Sequence, residues 1–158
     1  MEKIDDNFNV IVDCGYEIDS VKNSIENFRN ICKGRLIGIM GINYSDNDNK
    51  IRNLMQILED NLDLTILTED ESLQGEVMNI LDKTNNYSNS NKVLHIPYRS
   101  IAIENAIQIM NKNDILLILG KGNEKFLSMG LGKERYLGDK HYALKYIQRR
   151  KDDENETI

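Results

Sequence analysis

Residues 35–42 read Arg-Leu-Ile-Gly-Ile-Met-Gly-Ile, a run in which apolar side chains follow one another without polar ones between them. A strand with one wet face alternates apolar and polar residues; a strand covered on both faces does not. The run therefore predicts an inner strand of a sheet sandwiched between helices. Phe8 to Cys14, Leu62 to Leu67, Val93 to Ile96 and Asp114 to Leu119 are further short runs of the same kind. Between them lie segments with apolar residues at helical spacing: Val21, Ile25, Phe28 and Ile31/Cys32; Ile51, Leu54, Met55 and Leu58; Leu73 to Leu81; Ser100 to Met110. Strands alternating with helices pair in parallel through right-handed crossovers. The expected fold is α/β, a three-layer Rossmann-like domain with a mostly parallel sheet of five to six strands flanked by helices.

Gly34 is the expected stop of the first helix, and Asp46 or Asp48 the expected cap of the second. Phe126 to Leu137, with Gly130 and Gly132, reads as a hairpin or loop before a last helix from about Asp139 to Arg149. The basic residues of Lys145 to Lys151 suit the carboxyl end of that helix. Residues 1–150 form one expected domain, and 151–158 (Lys-Asp-Asp-Glu-Asn-Glu-Thr-Ile) an acidic, disordered tail.

A chain of 158 residues suits a single core, and 40% hydrophobic with 29% charged residues is a globular balance. The net charge of -6 argues against a nucleic-acid surface, which needs clustered Lys and Arg. No apolar run approaches the roughly 20 residues of a membrane helix. The start, Met-Glu-Lys-Ile-Asp-Asp, is unlike a secretory signal, so a cytoplasmic location is expected. Cys14 and Cys32 form no CxxC and are expected to be reduced packing residues.

Ligands of parallel sheets bind at the carboxyl ends of the strands. Here those ends carry Asp13 to Tyr16, Gly41 to Asn43, Thr68 to Glu71, Pro97 to Arg99, and Gly120 to Glu124. No Gly-Lys is followed by Ser or Thr, so the chain lacks a P-loop. Gly120-Lys121-Gly122 follows the last apolar run and has Lys125 where a dinucleotide fingerprint needs a third glycine, which excludes that reading too. His95 reads as a core histidine and His141 as a surface one, while Asp70 and Glu71 suit an amine, a cation or a helix start. No nucleophile–base arrangement and no metal-ligand cluster emerges, which leaves no catalytic residue to assign and disfavours a free-standing hydrolase or oxidoreductase.

Motifs go further than spacing. Gly120-Lys121-Gly122-Asn123-Glu124 matches Gly-Lys-Gly-His-Glu at four of five positions. Leu137-Gly138-Asp139-Lys140-His141-Tyr142-Ala143 is similar to Phe-Asp-Asp-Arg-x-x-Ala, Pro97-Tyr98-Arg99-Ser100-Ile101-Ala102-Ile103 to Pro-Asp-Arg-x-x-Ala-Ile, and Val12-Asp13-Cys14-Gly15-Tyr16-Glu17-Ile18 to Val-Asp-Tyr-Ala-His-x-Pro. In this order they resemble the C-terminal domain of Mur ligases, the ATP-dependent amide-bond-forming enzymes of peptidoglycan precursor synthesis, and in particular the UDP-N-acetylmuramoyl tripeptide synthetases. The resemblance runs from about residue 9 to residue 149. Glu69 to Glu76 also resembles the corresponding region of cyanophycin synthetases, which share this domain, so a ligase making an amino-acid polymer is a second family reading.

The resemblance implies one part of a ligase. In the family an N-terminal domain holds the UDP-sugar peptide, a central domain carries the P-loop and Mg²⁺, and the C-terminal domain contacts ATP and holds the incoming amino acid. It implies nucleotide contact at Asp13 and Tyr16, and substrate contact at Gly120, Lys121, Gly122, Glu124, Asp70 and Arg99, with Glu124 meeting the substrate ammonium. ATP and Mg²⁺ belong to the complete ligase, the metal in the central domain, and the implied partners are a chain with a P-loop ATPase domain and an amino acid, with neither nucleic acid nor membrane. The sequence also departs from the family. Its histidine and proline after the first strand are replaced within Cys14 to Ile18, the Asp/Asn core of the loop Asn43 to Arg52 has no arginine, and the diaminopimelate-selecting Asp-Asn-Pro-Arg becomes Asp70-Glu71-Ser72-Leu73. Each arginine lost against a substrate carboxylate forfeits roughly 1.5–3 kcal/mol per charge-assisted hydrogen bond. A catalytically inactive binding or regulatory module is therefore the alternative expectation.

Overall fold

The structure, a computed structural model, describes residues 1–5, 7–43, 45–70, 77–88, 91–129 and 132–156. The decisive apolar run is its third strand. In chain order the elements are β1 (Glu2–Lys3), β2 (Val10–Asp13), α1 (Ile18–Arg29), β3 (Leu36–Ile42), α2 (Asp48–Asn61), β4 (Leu64–Glu69), α3 (Val77–Thr84), β5 (Val93–His95), α4 (Arg99–Ile109), β6 (Ile115–Leu119), β7 (Phe126–Met129), β8 (Gly132–Arg135) and α5 (Asp139–Glu156). Six strands form one sheet in the order β1-β2-β6-β3-β4-β5. All its pairings are parallel except that of β1 with β2. β3 thus lies inside the sheet, between β6 and β4, as its unbroken apolar sequence requires.

Successive side chains of each strand serve opposite faces. Ile11, Leu36, Met40, Ile42, Ile115, Leu117 and Leu119 pack with Val21 and Ile25 of α1, Ile51, Leu54, Met55 and Leu58 of α2, and Leu81 of α3. Their neighbours Val10, Val12, Ile37, Ile39, Leu116 and Ile118 pack with Ala102, Ile103, Ala106 and Ile107 of α4 and with Ala143, Tyr146 and Ile147 of α5. The result is the expected three-layer α/β arrangement.

Several boundaries differ from expectation, each for a local reason. The second helix is capped by Asn47, whose side chain accepts from the Lys50 amide. Asp46 instead pairs with the Lys50 ammonium at 2.8 Å, and Asp48 is already helical. Leu62 caps the end of α2 and packs against Gly38, where a Cβ would lie 2.5 Å from its Cδ1, so β4 starts two residues later than the apolar run suggests. Of the predicted helix Leu73 to Leu81, residues 77–81 are seen in α3, which runs on to Thr84; residues 71–76 lie outside the described residues. β7 (Phe126–Met129) pairs antiparallel with β8 (Gly132–Arg135); residues 130–131 lie outside the described residues. β1 was not foreseen, being two polar residues recognisable only by their pairing with Ile11 and Val12. The acidic tail is corrected as far as Glu156: α5 continues through it, supported by Gln148–Asp152 and Arg150–Glu154 contacts one turn apart and by Lys151 bonded to Asp5. Among the described residues no helix is long and apolar enough to cross a membrane.

At the amino ends of the strands, carboxylates close the loops. Asp114 accepts from the amides of Arg35 and Asn111 at 2.7 and 2.9 Å and from the Arg35 guanidinium at 2.7 and 3.0 Å. Asp63 accepts from the Leu36 amide at 2.7 Å and from Arg29 at 2.6 Å. Burial by itself would raise both carboxyls. At Asp114 the Asn111 amide and Arg35 outweigh it, and at Asp63 Arg29 and the Leu36 amide do, so both are held below the usual carboxylate range.

Asp114→Ala removes the acceptor of two backbone amides and an arginine and should lower unfolding free energy by roughly 2–3 kcal/mol, measured by urea denaturation. A carboxylate with a depressed folded-state pKa contributes stability above its unfolded pKa and loses it as pH falls through the folded value. The urea midpoint should hold steady from pH 7 to 5 and drop below about pH 4, where unfolded Asp begins to protonate. Asp114→Asn should shrink that acid-dependent drop.

Candidate functional site

Where the amino edge is closed, the carboxyl edge opens into a cleft. After β6 the chain turns through Gly120 at φ 105° and Gly122 at φ 55°, conformations that residues with a Cβ adopt only under strain. The peptide between Leu119 and Gly120 is held at both ends: its N–H donates to the Asp13 carbonyl at 3.0 Å and its carbonyl accepts from Arg99 at 2.8 Å. The Glu124 amide then bonds back to the Lys121 carbonyl at 3.1 Å, closing a tight turn. A side chain at Gly120 would meet no atom within 4 Å and would project into open space, whereas Gly122 packs on Cys14.

The cleft has a volume of about 280 Å³ and is lined by Tyr16, Asn43, Asp70, Gly120, Lys121 and Glu124. These come from the ends of four strands of the sheet, as a parallel sheet dictates. At its centre Lys121, 3% exposed, bonds to Asp70 at 3.0 Å and to Glu124 at 2.9 Å. Burial opposes the lysine's charge, but the Asp70 charge and the bonds to Glu124 and Asp70 outweigh it and hold its pKa above the ordinary value. Lys121 is thus a fixed ammonium at neutral pH. Asp70 is mostly buried, while the Glu124 side chain is 60% exposed and faces solvent. Two carboxylates against one lysine leave the described lining net negative, which favours an ammonium-bearing ligand.

Five residues singled out from the sequence therefore meet here: Tyr16, Asp70, Gly120, Lys121 and Glu124. Three others lie outside the lining. Gly122 supports the turn. Asp13 stands at the end of β2, where its carboxylate accepts from the Ser24 hydroxyl at 2.5 Å and pairs with the Met1 amino group at 3.3 Å. Burial would raise this carboxyl, but Ser24, the amino group and the Cys14 amide hold it low. Arg99, expected to face substrate, is instead fully buried, its Nε and Nη2 each 2.8 Å from an oxygen of the equally buried Asp139. Burial works against the guanidinium charge and Asp139 outweighs it. Two of the quoted motifs, Pro97 to Ile103 and Leu137 to Ala143, thus meet as an ion pair beneath the third, a relation that spacing along the chain does not contain.

Asn43 was recognisable only as a residue at the end of β3; in the structure it joins the lining. Cys14, expected to be packed, is exposed, whereas Cys32 packs against the core. His95 is half-buried on the edge strand β5, 3.0 Å from the Thr84 hydroxyl, and burial lowers its pKa. His141 is exposed. The stretch Glu71 to Glu76, which carries most of the cyanophycin-synthetase resemblance, lies outside the described residues. Among the described residues no group of three His, Cys, Asp or Glu side chains could hold a metal ion.

The profile of the family described as Mur ligase, glutamate ligase domain, matches residues 1–122. A protein of Fusobacterium nucleatum described as UDP-N-acetylmuramoyl-L-alanyl-D-glutamate-2,6-diaminopimelate ligase is 37% identical over 151 residues, 94% of this chain and 31% of that protein. A protein of Aquifex aeolicus with the same description is 35% identical over 123 residues, 77% of this chain and 25% of that protein. A solved structure of a ligase so described superposes with a TM-score of 0.84 at 19% identity, over 93% of this chain and 30% of the other, which shows a shared fold. The chain spans less than a third of the length of these relatives. With the profile match covering most of the chain and the strand-end cleft in place, this chain belongs to the Mur ligase glutamate ligase domain family.

Proposed function

We propose that this chain supplies the amino-acid-holding side of an ATP-dependent acid–amino-acid ligase of the peptidoglycan-precursor type, with the P-loop domain provided from outside its 158 residues. The observation that carries the reading is the strand-end cleft, in which Lys121 is fixed between Asp70 and Glu124. Glu124, exposed at the rim, is placed to accept from the ammonium of an incoming amino acid; Gly120 opens the backbone beside it; Lys121 holds Asp70 and Glu124 on its ammonium. This domain would bind and orient the nucleophile, while activation of the acid belongs to the domain holding the triphosphate. The cytoplasm, where ATP is available, is the setting the reading requires.

The donor set does not fit a triphosphate. Among the described residues lining the cleft the one cation is already bonded to two carboxylates, and nothing resembles a backbone phosphate cradle. What fits a nucleotide is limited to its sugar end: Asp13, the last residue of β2, as an acceptor for ribose hydroxyls, with Tyr16 three residues on. Mg²⁺ would reside with the phosphates. The diaminopimelate of the relatives' description is not carried over, because no arginine faces a second carboxylate among the described residues of the lining.

One observation favours the second reading, a binding or regulatory module without catalysis. Lys50, in the first turn of α2, pairs with Asp46 at 2.8 Å and lies 5.7 Å from the Tyr16 ring centroid, so this cation beside a lining residue is engaged within the domain.

Calorimetry of the purified chain with meso-diaminopimelate, L-lysine, L-alanine and L-glutamate should show at least one amino acid binding, and Glu124→Gln should weaken it about tenfold or more by loss of a charge-assisted bond. The chain should then support ADP release from ATP when mixed with a P-loop protein of the family, UDP-N-acetylmuramoyl-L-alanyl-D-glutamate and that amino acid. Binding without any ADP release would favour the regulatory reading; no binding of any of the four would overturn the site assignment.

A further inference from the structure

Arg99 belongs to the motif set yet is not among the described residues that line the cleft, and a fully buried guanidinium is costly to desolvate. Its surroundings supply one. Nη2 holds the Leu119 carbonyl, on the peptide whose N–H is fixed by Asp13, so the point from which Gly120 swings the chain toward Lys121 cannot rotate. On the far side lies Gly41 of β3. A Cβ built there would stand 2.5 Å from the Asp70 Cβ and 3.2 Å from Arg99 Nη1. Asp70 and the guanidinium therefore both settle onto bare backbone, and Asp70 contributes to keeping Arg99 charged. The strand end that leads to Lys121 and the carboxylate of Asp70, the two sides of the ion pair at the centre of the cleft, are thus both coupled to the same buried arginine, one by a hydrogen bond at Leu119 and the other by charge.

The arginine is itself held. Asp139, at the first residue of α5, receives Nε and Nη2, and its Oδ1 also accepts from the Tyr136 hydroxyl at 2.6 Å. Tyr136 follows β8 directly, and its amide bonds to the Lys125 carbonyl at the base of the hairpin. The turn bearing Glu124, the β7–β8 hairpin and the start of α5 thus converge on one guanidinium.

We propose that Arg99 is the positioning residue of the cleft, with Asp139 and Tyr136 orienting it and Gly41 giving it room, and that it sets the Lys121–Asp70 geometry on which ligand capture depends. The inference rests on the reading of the cleft as an amino-acid site, but its test needs no ligand. Arg99→Met leaves Asp139 buried without its partner and is expected to unfold the domain, so the informative variants are Gly41→Ala, which crowds Asp70 without removing a polar group, and Tyr136→Phe, which removes one hydrogen bond to Asp139. The readout is the side-chain ammonium of Lys121 in ¹⁵N NMR, assigned with Lys121→Arg and followed against pH. Asp114→Ala, at the opposite edge of the sheet, serves as a control that destabilises without reaching the cleft.

In Gly41→Ala and Tyr136→Phe, under conditions where circular dichroism shows the fold intact, the Lys121 signal should shift or broaden. Its titration should move down by about one pH unit, a tenfold change in proton affinity. In Asp114→Ala it should stay in place. An unmoved Lys121 signal in both test variants would overturn the proposal, and so would an equal response in Asp114→Ala, which would reveal general loosening. Calorimetry with the amino acid identified for the wild-type chain separates the two claims: a Lys121 response in a chain that binds no amino acid sustains the positioning role while the ligase reading falls.

Discussion

Arg99 and Asp139 form a fully buried ion pair, and the architecture around the site is arranged to meet its demands. Two charges taken out of water are expensive, and removing one partner of such a pair strands the other at a cost of about 3–5 kcal/mol. Here both carboxylate oxygens receive the guanidinium, the Tyr136 hydroxyl adds a third donor, and the Leu119 carbonyl accepts from Nη2. Burial and the Asp139 charge keep the Tyr136 phenol protonated, so it remains a donor at physiological pH. The pair ties the start of α4 to the end of β6 and to the start of α5, links that strand pairing does not supply.

This explains the contrast between the two edges of the sheet. At the amino edge Asp63 and Asp114 bond backbone amides and arginines that lie at the surface, and they hold loops down. At the carboxyl edge the buried pair lies beneath the loops instead of among them, so the polar groups above it, Lys121, Asp70 and Glu124, can face a cleft with their geometry already set. Lys121 and Asp70, little exposed, interact with little screening by water, while Glu124 reaches into solvent. The chain spans less than a third of the length of its relatives, and the described lining of its cleft is net negative, a balance that suits an amine better than a polyphosphate.

Much of this was legible in the chain. The unbroken apolar runs at 36–42 and 115–119 could be satisfied only by burial on both faces, and the helical spacings between them gave the layers. Gly120 to Glu124 could be placed at the carboxyl edge after the last apolar run, and there the structure has its turn, with positive φ at Gly120 and Gly122. Other features were hidden because they depend on partners distant in sequence. β1 is two polar residues whose strand character exists only opposite β2. Residues 151–156, poor in apolar side chains, are helical because contacts one turn apart and Lys151 with Asp5 support them. Arg99 could be named from its motif but not placed, since inward and outward arginines at a helix start look alike in sequence.

By itself, then, the sequence determined the layered α/β fold, the edge on which a ligand would sit and the family to which the strand-end motifs point, because hydrophobic period and glycine dihedrals are local properties that survive without knowledge of contacts. Only the tertiary structure decided which polar residues face the cleft and which lie beneath it. That division rests on who shares a charge with whom: Arg99 turned inward because Asp139, forty residues on, is buried beside it, and Lys121 stands in the cleft because Asp70 and Glu124 meet there.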